Sequence, residues 1–313
     1  MQKLRLFQYF WAVNFLYIFV IFVSPIKFIT PNFKACMSSI SQLLKENNPH
    51  EDILAIAGSL GEKENIPTYI VGGYVRDTLL GKSCKDIDIM VEGDGIAFAK
   101  KLARELKVNV TVDYDKFGTA MIPYPDVEIE VATARIEKYR SDSRKPEVTS
   151  STIEEDMSRR DFTINAIAAS LLPSSFGELY DPFGGIKDLQ KGLIITPLDP
   201  DETFSDDPLR MLRAVRFAAQ LEYDVASTIL ESISRNINRL EIVSWERIRD
   251  EIIKSLTTNK PSIAFYLMKE TGLLTHVFPE MDIMSGVETI NGMGHKDVFI
   301  HTLQVVDNAA KLS

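Results

Sequence analysis

Cysteine is scarce in this chain, which has only Cys36 and Cys84 among its 313 residues. Their separation fits neither a zinc-binding spacing nor a disulfide framework, so we expect both thiols to be reduced. Positive charge is not in excess either, because 35 Lys and Arg residues face 44 Asp and Glu residues, for a net charge of −9. Bulk charge therefore gives no sign of nucleic-acid binding, and any such contact must depend on a local patch.

Charge is absent altogether from Leu6 to Val23, an apolar run long enough for a membrane helix. No small-residue cleavage site follows it, which argues against a secretory signal peptide. Three interpretations of the run remain: translation that begins at Met37, a membrane anchor, or a buried helix. The first is favoured, because an ordinary amphipathic pattern begins at Ser38. We therefore set residues 1–36 apart from the fold and expect a cytoplasmic protein, with membrane contact only if this extension is translated.

Two alternating carboxylates, Asp86 and Asp88, carry the first chemical signal. A strand places them on one face, because side chains alternate with a period of two. Neighbouring carboxylates repel each other unless a cation lies between them, and Mg²⁺ is the usual choice where phosphates are present. Just upstream, Gly72 and Gly73 follow an apolar strand and precede a helix, a turn whose backbone N–H groups can hold phosphate. Together these features predict nucleotide chemistry.

A third carboxylate is expected for phosphoryl transfer with two metal ions. Residues 127–131 alternate strictly, so Glu128 and Glu130 share one face of a strand. If that strand lies beside the aspartate strand, one glutamate can reach the metal ions. We favour Glu130, which is nearer the polar end of the strand. The alternative is a pair of solvated acids on an edge strand.

An arginine pair forms the second cluster, at Arg159 and Arg160, followed by Asp161. Guanidinium groups supply rigid forks for triphosphate oxygens, and the adjacent aspartate can accept a hydrogen bond from a ribose hydroxyl. A charged helix surface is the alternative for such a triplet.

The third cluster is Asp207, Arg210 and Arg213, which are spaced to form one stripe on a helix. A carboxylate accepts from an exocyclic amine and a guanidinium donates to a ring nitrogen or oxygen, so such a pair can read the Watson–Crick edge of a base. A salt bridge within the helix is the alternative.

Hydrophobic periodicity predicts an α+β protein. A β-α-β-β-β order gives a small mixed sheet with helices on one side, and helices dominate from Ile153 onward. The polar segment Tyr139 to Ser151 is interpreted as a mobile loop.

Several ordered motifs together resemble those of the class II tRNA nucleotidyltransferase and bacterial poly(A) polymerase family, within the DNA polymerase β-like nucleotidyltransferases. They are Gly72–Asp77 with Asp86 and Asp88, Arg160–Ala166, Asp181–Gly185 with Asp188 and Leu189, Asp207–Arg213, and Glu246–Glu251. The resemblance covers roughly Pro67 to Leu274. Asp206 stands where the family usually has Glu, a departure that leaves the pair of Asp207 and Arg210 intact.

The resemblance implies a polymerase-β-like head with a small mixed sheet, followed by an all-α neck and body. The predicted division is an N-terminal extension (1–36), a nucleotidyltransferase head (37–172), a neck with nucleotide-selecting helices (173–240), a helical body (241–285) and the truncated start of a further domain (286–313). That last segment, with His301, resembles the opening of an HD-type metal phosphohydrolase. The final helix reaches the chain end without a cap, from which we expect a fragment.

The activity that the resemblance implies is addition of CCA, or part of it, to tRNA 3′ ends from CTP and ATP without a nucleic-acid template. Its cofactor would be Mg²⁺, and no protein partner is evident. By matching position, Mg²⁺ would be held by Asp86 and Asp88. The triphosphate would be held by Gly72, Gly73 and Arg76, and the triphosphate and ribose would be positioned by Arg160, Asp161 and Asn165. The base would be selected by Asp207 and Arg210, with Arg213 beside them.

Other activities share these motifs. A poly(A) polymerase has the same head motifs, and addition of CC alone or A alone is also open, although the intact loop after Tyr139 argues against CC alone. From another class, a membrane-tethered module could bind nucleotide or RNA without catalysis. The intact pair of Asp86 and Asp88 argues against that alternative.

Overall fold

The computed structural model describes residues 39–312, except 47, 85, 110, 115–117, 139–146, 287–288, 291–292 and 295–296. The apolar N-terminal run and most of the predicted mobile loop lie outside the described residues. Within the described part of the chain, no helix combines the length and the apolar character needed to cross a membrane.

The strands are short and concentrated in the first half of the chain. In chain order they are β1 Thr68–Val71, β2 Asp86–Val91, β3 Val112–Tyr114, β4 Thr119–Tyr124, β5 Val127–Thr133, β6 Arg135–Lys138, β7 Glu147–Ser150, β8 Ala168–Ser170, β9 Leu179–Tyr180, β10 Leu193–Ile194, β11 Asp224–Val225, β12 Thr289–Ile290 and β13 Met293–Gly294.

A seven-stranded mixed sheet in the order β3-β4-β5-β2-β1-β8-β9 is the centre of the head. Strands β2 and β5 are parallel, and the other neighbours in the sheet are antiparallel. The predicted α+β class and mixed sheet are confirmed. The sheet continues to Tyr180, beyond the predicted head boundary at 172, and the division into domains stays a prediction.

Helices fill the rest of the chain. In chain order they are α1 Ser41–Lys45, α2 Glu51–Glu64, α3 Gly73–Leu79, α4 Gly95–Glu105, α5 Ile153–Ser158, α6 Gly185–Lys191, α7 Pro200–Asp206, α8 Leu209–Leu221, α9 Ser227–Asn236, α10 Trp245–Leu256, α11 Ser262–Thr271, α12 Leu273–Val277, α13 Pro279–Asp282 and α14 Val298–Ala310. A short 3₁₀ segment, Thr163–Asn165, is called the 163–165 turn below.

The two faces of the sheet differ in burial. Ile87 and Ile89 of β2 point into the larger core, which contains Leu54 of α2 and Phe98 of α4. The opposite face carries the aspartates and a smaller core, to which α5 contributes Ile153 and Met157. The prediction of helices on one side is therefore incomplete, because α5 covers part of the second face.

Sequence periodicity missed or misplaced some short strands. Strand β8 has all three residues buried, so it lacks the alternation that marks a half-buried strand. Strand β3, Val112–Tyr114, has all three residues exposed and lacks that alternation as well. Part of the predicted mobile loop, Glu147–Ser150, forms β7, which pairs with β6.

Candidate active site

The glycine turn lies where β1 ends and α3 begins. Gly72 has φ +68° and ψ −128°, a backbone conformation that residues with a Cβ rarely adopt. Its N–H donates to the Ile167 carbonyl at 3.0 Å. A Cβ at this position would lie 2.6 Å from Nη1 of Arg160. The missing side chain therefore lets the Arg160 guanidinium approach the turn, which brings the first and second sequence clusters together.

The two aspartates lie on β2 beside the glutamates of β5. The parallel register pairs Asp86 with Glu128 and Asp88 with Glu130, which confirms that the two strands are neighbours. Burial raises the pKa of Asp88 above the ordinary aspartate value, the nearby Arg160 lowers it, and the Asp86 carboxylate raises it, with a net increase.

This carboxylate pair fits a divalent cation. A partly desolvated carboxylate beside another negative charge is stabilised in its ionised form by a cation, and oxygen donors suit a hard metal ion. Glu130 shares the face but is exposed, and no group of three metal-ligating side chains converges within the described residues. Its role as a third ligand stays a prediction.

Arg76 is directed into the protein. Its Nε and Nη2 donate to the Asp77 carboxylate at 2.9 and 2.8 Å, and its Nη1 donates to Oδ1 of Asn165 at 2.6 Å. The side chain is buried. Its predicted contact with triphosphate is untested, and these bonds show that internal groups already use three of its N–H donors.

Arg160 makes only long contacts within the protein. Its Nη1 donates to the Asn165 carbonyl at 3.3 Å and its Nη2 to Asp156 at 3.4 Å. Its Nε is buried and makes no hydrogen bond, although it forms an ion pair with the same Asp156 oxygen at 3.4 Å. An anionic ligand beside the glycine turn would give this guanidinium shorter, charge-assisted bonds than those it makes here.

Asp161 has four donors around its carboxylate. Nε and Nη2 of Arg213 donate to Oδ2 at 2.8 and 2.5 Å, and the Phe162 N–H and the Asn165 amide donate to Oδ1 at 2.8 and 3.0 Å. Burial alone would raise the pKa of Asp161, but the Arg213 charge and these donors hold it below the ordinary value. Its predicted contact with ribose would have to compete with these bonds.

The predicted stripe of Asp207, Arg210 and Arg213 is not formed as expected. Asp207 precedes α8, where its Oδ1 accepts from the Leu209 N–H at 3.1 Å and its Oδ2 accepts from Nη2 of Arg247 at 2.9 Å. Within the described residues its ion-pair partner is thus on α10, and not Arg210 as the salt-bridge alternative required.

Arg210 and Arg213 also diverge from each other. Arg210 donates to the main-chain carbonyls of Arg159 and Thr203 at 2.6 and 3.4 Å, whereas Arg213 binds Asp161. A surface cleft of about 470 Å³ lies beside Arg210. It is lined by Ser158, Arg159, Leu198, Asp201, Glu202, Thr203, Ser205, Asp206 and Arg210. Guanidinium donors and carboxylate acceptors together are the groups that recognise base edges.

Sequence reasoning missed Phe217, an aromatic residue beside two arginines of this site. Phe217 lies with its ring centroid 5.2 Å from Cζ of Arg76 and 5.4 Å from Cζ of Arg213, within cation–π range. It follows Arg213 by one helical turn, so helical spacing could have identified it. Glu251, the last residue of the Glu246–Glu251 motif, is buried on α10 and accepts from Nε of Arg216 at 2.5 Å. No local pattern in the sequence predicted that contact.

The predicted start of an HD-type domain includes His301, which lies exposed on α14. The Asp297 carboxylate caps that helix by accepting from the Ile300 N–H at 3.1 Å. The resemblance of this segment to an HD-type domain stays a prediction.

Comparisons with known proteins agree with this arrangement. Residues 68–195 match a family model described as "Poly A polymerase head domain", and residues 222–284 match one described as "Probable RNA and SrmB- binding site of polymerase A". The A-adding tRNA nucleotidyltransferase of Geobacter sulfurreducens is 35% identical over 84% of this chain and 28% of that protein.

Solved structures are similar as well. The Thermotoga maritima CCA-adding enzyme complexed with tRNA CCA aligns with a TM-score of 0.68 and 35% identity, over 78% of this chain and 58% of that one. A CCA-adding enzyme solved with CTP aligns with a TM-score of 0.67 and 36% identity, over the same shares of the two chains.

The fold and the paired aspartates define the class of metal-dependent nucleotidyltransferases. Within it, the chain belongs to the class II CCA-adding enzyme and poly(A) polymerase family. The chain spans 28% of the Geobacter protein and 58% of the Thermotoga chain, less than two thirds of either.

Proposed function

We propose that this protein adds nucleotides, CCA or part of it, to the 3′ end of tRNA from CTP and ATP without a nucleic-acid template. The observation that carries the proposal is the placement of Asp86 and Asp88 on one sheet face, with the Gly72 turn and Arg160 close together. The names of its relatives support the same substrates, since they include tRNA nucleotidyltransferases and a structure bound to CTP. An enzyme that acts on tRNA, CTP and ATP is expected in the cytoplasm.

The proposed reaction is attack of the RNA 3′-hydroxyl on the α-phosphorus, with pyrophosphate as the leaving group. Asp86 and Asp88 would hold Mg²⁺, which when bound lowers the pKa of a coordinated hydroxyl and neutralises phosphate charge. The glycine turn at Gly72 and Gly73, in which the Gly72 N–H already donates to the Ile167 carbonyl, and the guanidinium of Arg160 would hold phosphate oxygens. The protein thus supplies fixed positive groups for a substrate whose negative charge increases at the leaving oxygen.

Base selection is assigned to Asp207 and Arg210. Asp207 would accept from the exocyclic amine that cytosine and adenine share, and Arg210 would donate to the adjacent ring acceptor. Both side chains now bind protein groups, Arg247 and main-chain carbonyls, so nucleotide binding would exchange those partners. Uracil and guanine present a carbonyl where Asp207 needs a donor, which would exclude them.

Addition of A alone is the second candidate, and the name of the Geobacter relative favours it. A poly(A) polymerase is favoured by the description of the head model alone. These candidates differ in the RNA end that they accept and in the length of the product.

The test uses tRNA transcripts that end before the first C, after C and after CC, each with Mg²⁺ and either CTP or ATP. A CCA-adding enzyme extends the first two with CTP and the third with ATP, whereas an A-adding enzyme extends only the third. Sequencing of product ends, with an unrelated RNA alongside, separates both from a poly(A) polymerase. Failure to extend any transcript would contradict the proposal, and reactions without Mg²⁺ give the background.

A further inference from the structure

Asn165 contacts three of the predicted nucleotide-site residues at once. It ends the 163–165 turn and is only 6% exposed. Its Oδ1 accepts from Nη1 of Arg76 at 2.6 Å, its Nδ2 donates to Oδ1 of Asp161 at 3.0 Å, and its carbonyl accepts from Nη1 of Arg160 at 3.3 Å. The amide therefore lies between a cation on one side and an anion on the other.

An amide suits this position for a chemical reason. It offers an acceptor to Arg76 and a donor to Asp161 while carrying no charge of its own. A carboxylate here would repel Asp161, and an apolar side chain would leave Nη1 of Arg76 without its acceptor and take one of the four donors from Asp161 in a buried site. Asn165 makes its own main-chain bond, from its N–H to the Phe162 carbonyl at 2.9 Å, which fixes the turn.

The contacts of Asn165 extend to two further elements. Asp77 fixes Arg76 from within α3, and Arg213 of α8 holds Asp161. Beneath them, the Phe217 ring lies 5.2 Å from Cζ of Arg76 and 5.4 Å from Cζ of Arg213. A continuous series of buried contacts thus joins the glycine-turn helix to the helix that carries the base-selecting arginine.

We propose that Asn165 is a positioning residue that couples α3 to α8 through Arg76 and Asp161, and that it does not itself bind the nucleotide. This inference rests on the proposed function for its kinetic consequences and departs from the expectation that Asn165 contacts triphosphate or ribose. It predicts that loss of Asn165 weakens every nucleotide equally, because it disturbs the shared phosphate and sugar side of the site and leaves Asp207 and Arg210 in place.

The kinetic test compares Asn165→Ala with wild type, using Asn48→Ala as the control. Asn48 also bridges groups in the head, since it accepts from the Tyr74 hydroxyl and donates to the Leu44 carbonyl, but it contacts none of the site residues. We expect kcat/KM of Asn165→Ala to fall about ten- to a hundredfold, the loss of a charge-assisted bond, for CTP and ATP alike. The ratio of kcat/KM for CTP to that for ATP should be unchanged, whereas a change that reached Asp207 or Arg210 would alter it.

Asn165→Asp gives a second variant that keeps the shape of the side chain. Its carboxylate would face Asp161 across 3.0 Å, so its kcat/KM should fall at least as far as that of Asn165→Ala. Wild-type kinetics in either variant, or a loss that differs between CTP and ATP, would overturn the proposal.

A double-mutant cycle for stability tests the coupling without any assay of activity. The urea midpoints of Asn165→Ala and Asp161→Ala should not add in the double variant, because both changes remove the same hydrogen bond between Asn165 and Asp161. Additive midpoints would contradict the coupling even if the wild type transferred nucleotides as proposed. Conversely, if the cycle is non-additive but the wild type adds no nucleotide, the proposed function is contradicted and the coupling is not.

Discussion

At the scale of single residues, side chains of the candidate site are held mainly by other side chains of the site. Asp161 accepts four hydrogen bonds, and Arg76 donates three. Such groups are oriented before any ligand arrives, which lowers the cost of ordering them during binding. Arg160 is the contrasting case, because its bonds to Asn165 and Asp156 are long, at 3.3 and 3.4 Å, and it is the arginine best suited to take an anion.

Gly72→Ala tests the approach of Arg160 to the glycine turn. We expect a loss of stability of about 1 kcal/mol from the positive φ and a loss of nucleotide incorporation of about a hundredfold from displacement of Arg160. Gly81→Ala is the matched control, because Gly81 has φ +67° and a Cβ there would meet no atom within 4 Å. Equal incorporation by the two variants would show that the Arg160 contact is unimportant.

Asp161→Asn tests the electrostatic role of the buried carboxylate. Because the pKa of Asp161 is lower in the folded state than the ordinary 3.8, its charge stabilises the fold above that pH and ceases to do so as the pH falls through the folded pKa. Urea unfolding should show a deficit of about 3 kcal/mol at pH 7, which shrinks as the pH falls below 3.8. A deficit that stays constant with pH would exclude this account.

At the scale of elements, strand β5 and helix α6 position the two parts of the site. The register of β2 with β5 sets the carboxylates side by side, and α6 supports the 163–165 turn. Thr163 Oγ1 donates to Oδ2 of Asp188 on α6 at 2.8 Å. The glycine at the start of α6 matters because a Cβ at Gly185 would lie 2.0 Å from the Thr163 carbonyl oxygen.

Gly185→Ala should therefore displace the 163–165 turn. We expect a destabilisation of about 1–3 kcal/mol, typical of overpacking against main chain, together with reduced nucleotide incorporation. Gly184→Ala provides the comparison, because that residue has φ +73° but an open space around its Cβ. Thermal melts and incorporation assays that fail to separate the two variants would contradict the supporting role of α6.

The sequence predicted local features of the site better than its long-range contacts. Alternation in β2 and β5 indicated which carboxylates share a face, because that pattern is contained within each strand. Arg76 and Asn165 are 89 positions apart, and Asp207 and Arg247 are 40 apart, so no periodicity links them. Asp207 was also expected on the helix face, whereas it precedes the helix and its carboxylate caps it.

At the scale of the whole molecule, α8 connects the head to the helical half. Arg213 reaches the head through Asp161, and Arg216 of the same helix pairs with Glu251 of α10. Helices α10 and α11 both pack against α8, so we expect a change in α8 to affect the helical half as well as the head. The buried pair of Arg216 and Glu251 is the strongest candidate for this link.

Glu251→Ala should destabilise the protein by about 3–5 kcal/mol, because it leaves the buried Arg216 guanidinium without its partner. Asp250→Ala, which breaks the exposed pair with Arg249, should cost no more than about 1 kcal/mol. Urea unfolding measures both. Similar costs for the two variants would mean that the buried pair does not hold α8 to α10.

The central claim is that Asp86 and Asp88 carry nucleotide transfer to an RNA 3′ end. The direct measurement is single-turnover extension of tRNA that lacks its terminal A, with Mg²⁺ and labelled ATP, by wild type, Asp86→Asn, Asp88→Asn and the control Asp94→Asn. Asp94 is an exposed acid that caps α4. We predict extension by wild type and the control, and a loss of at least about a thousandfold in each of the other two variants. Extension at the wild-type rate by either β2 variant, or none by the wild type, would contradict the account.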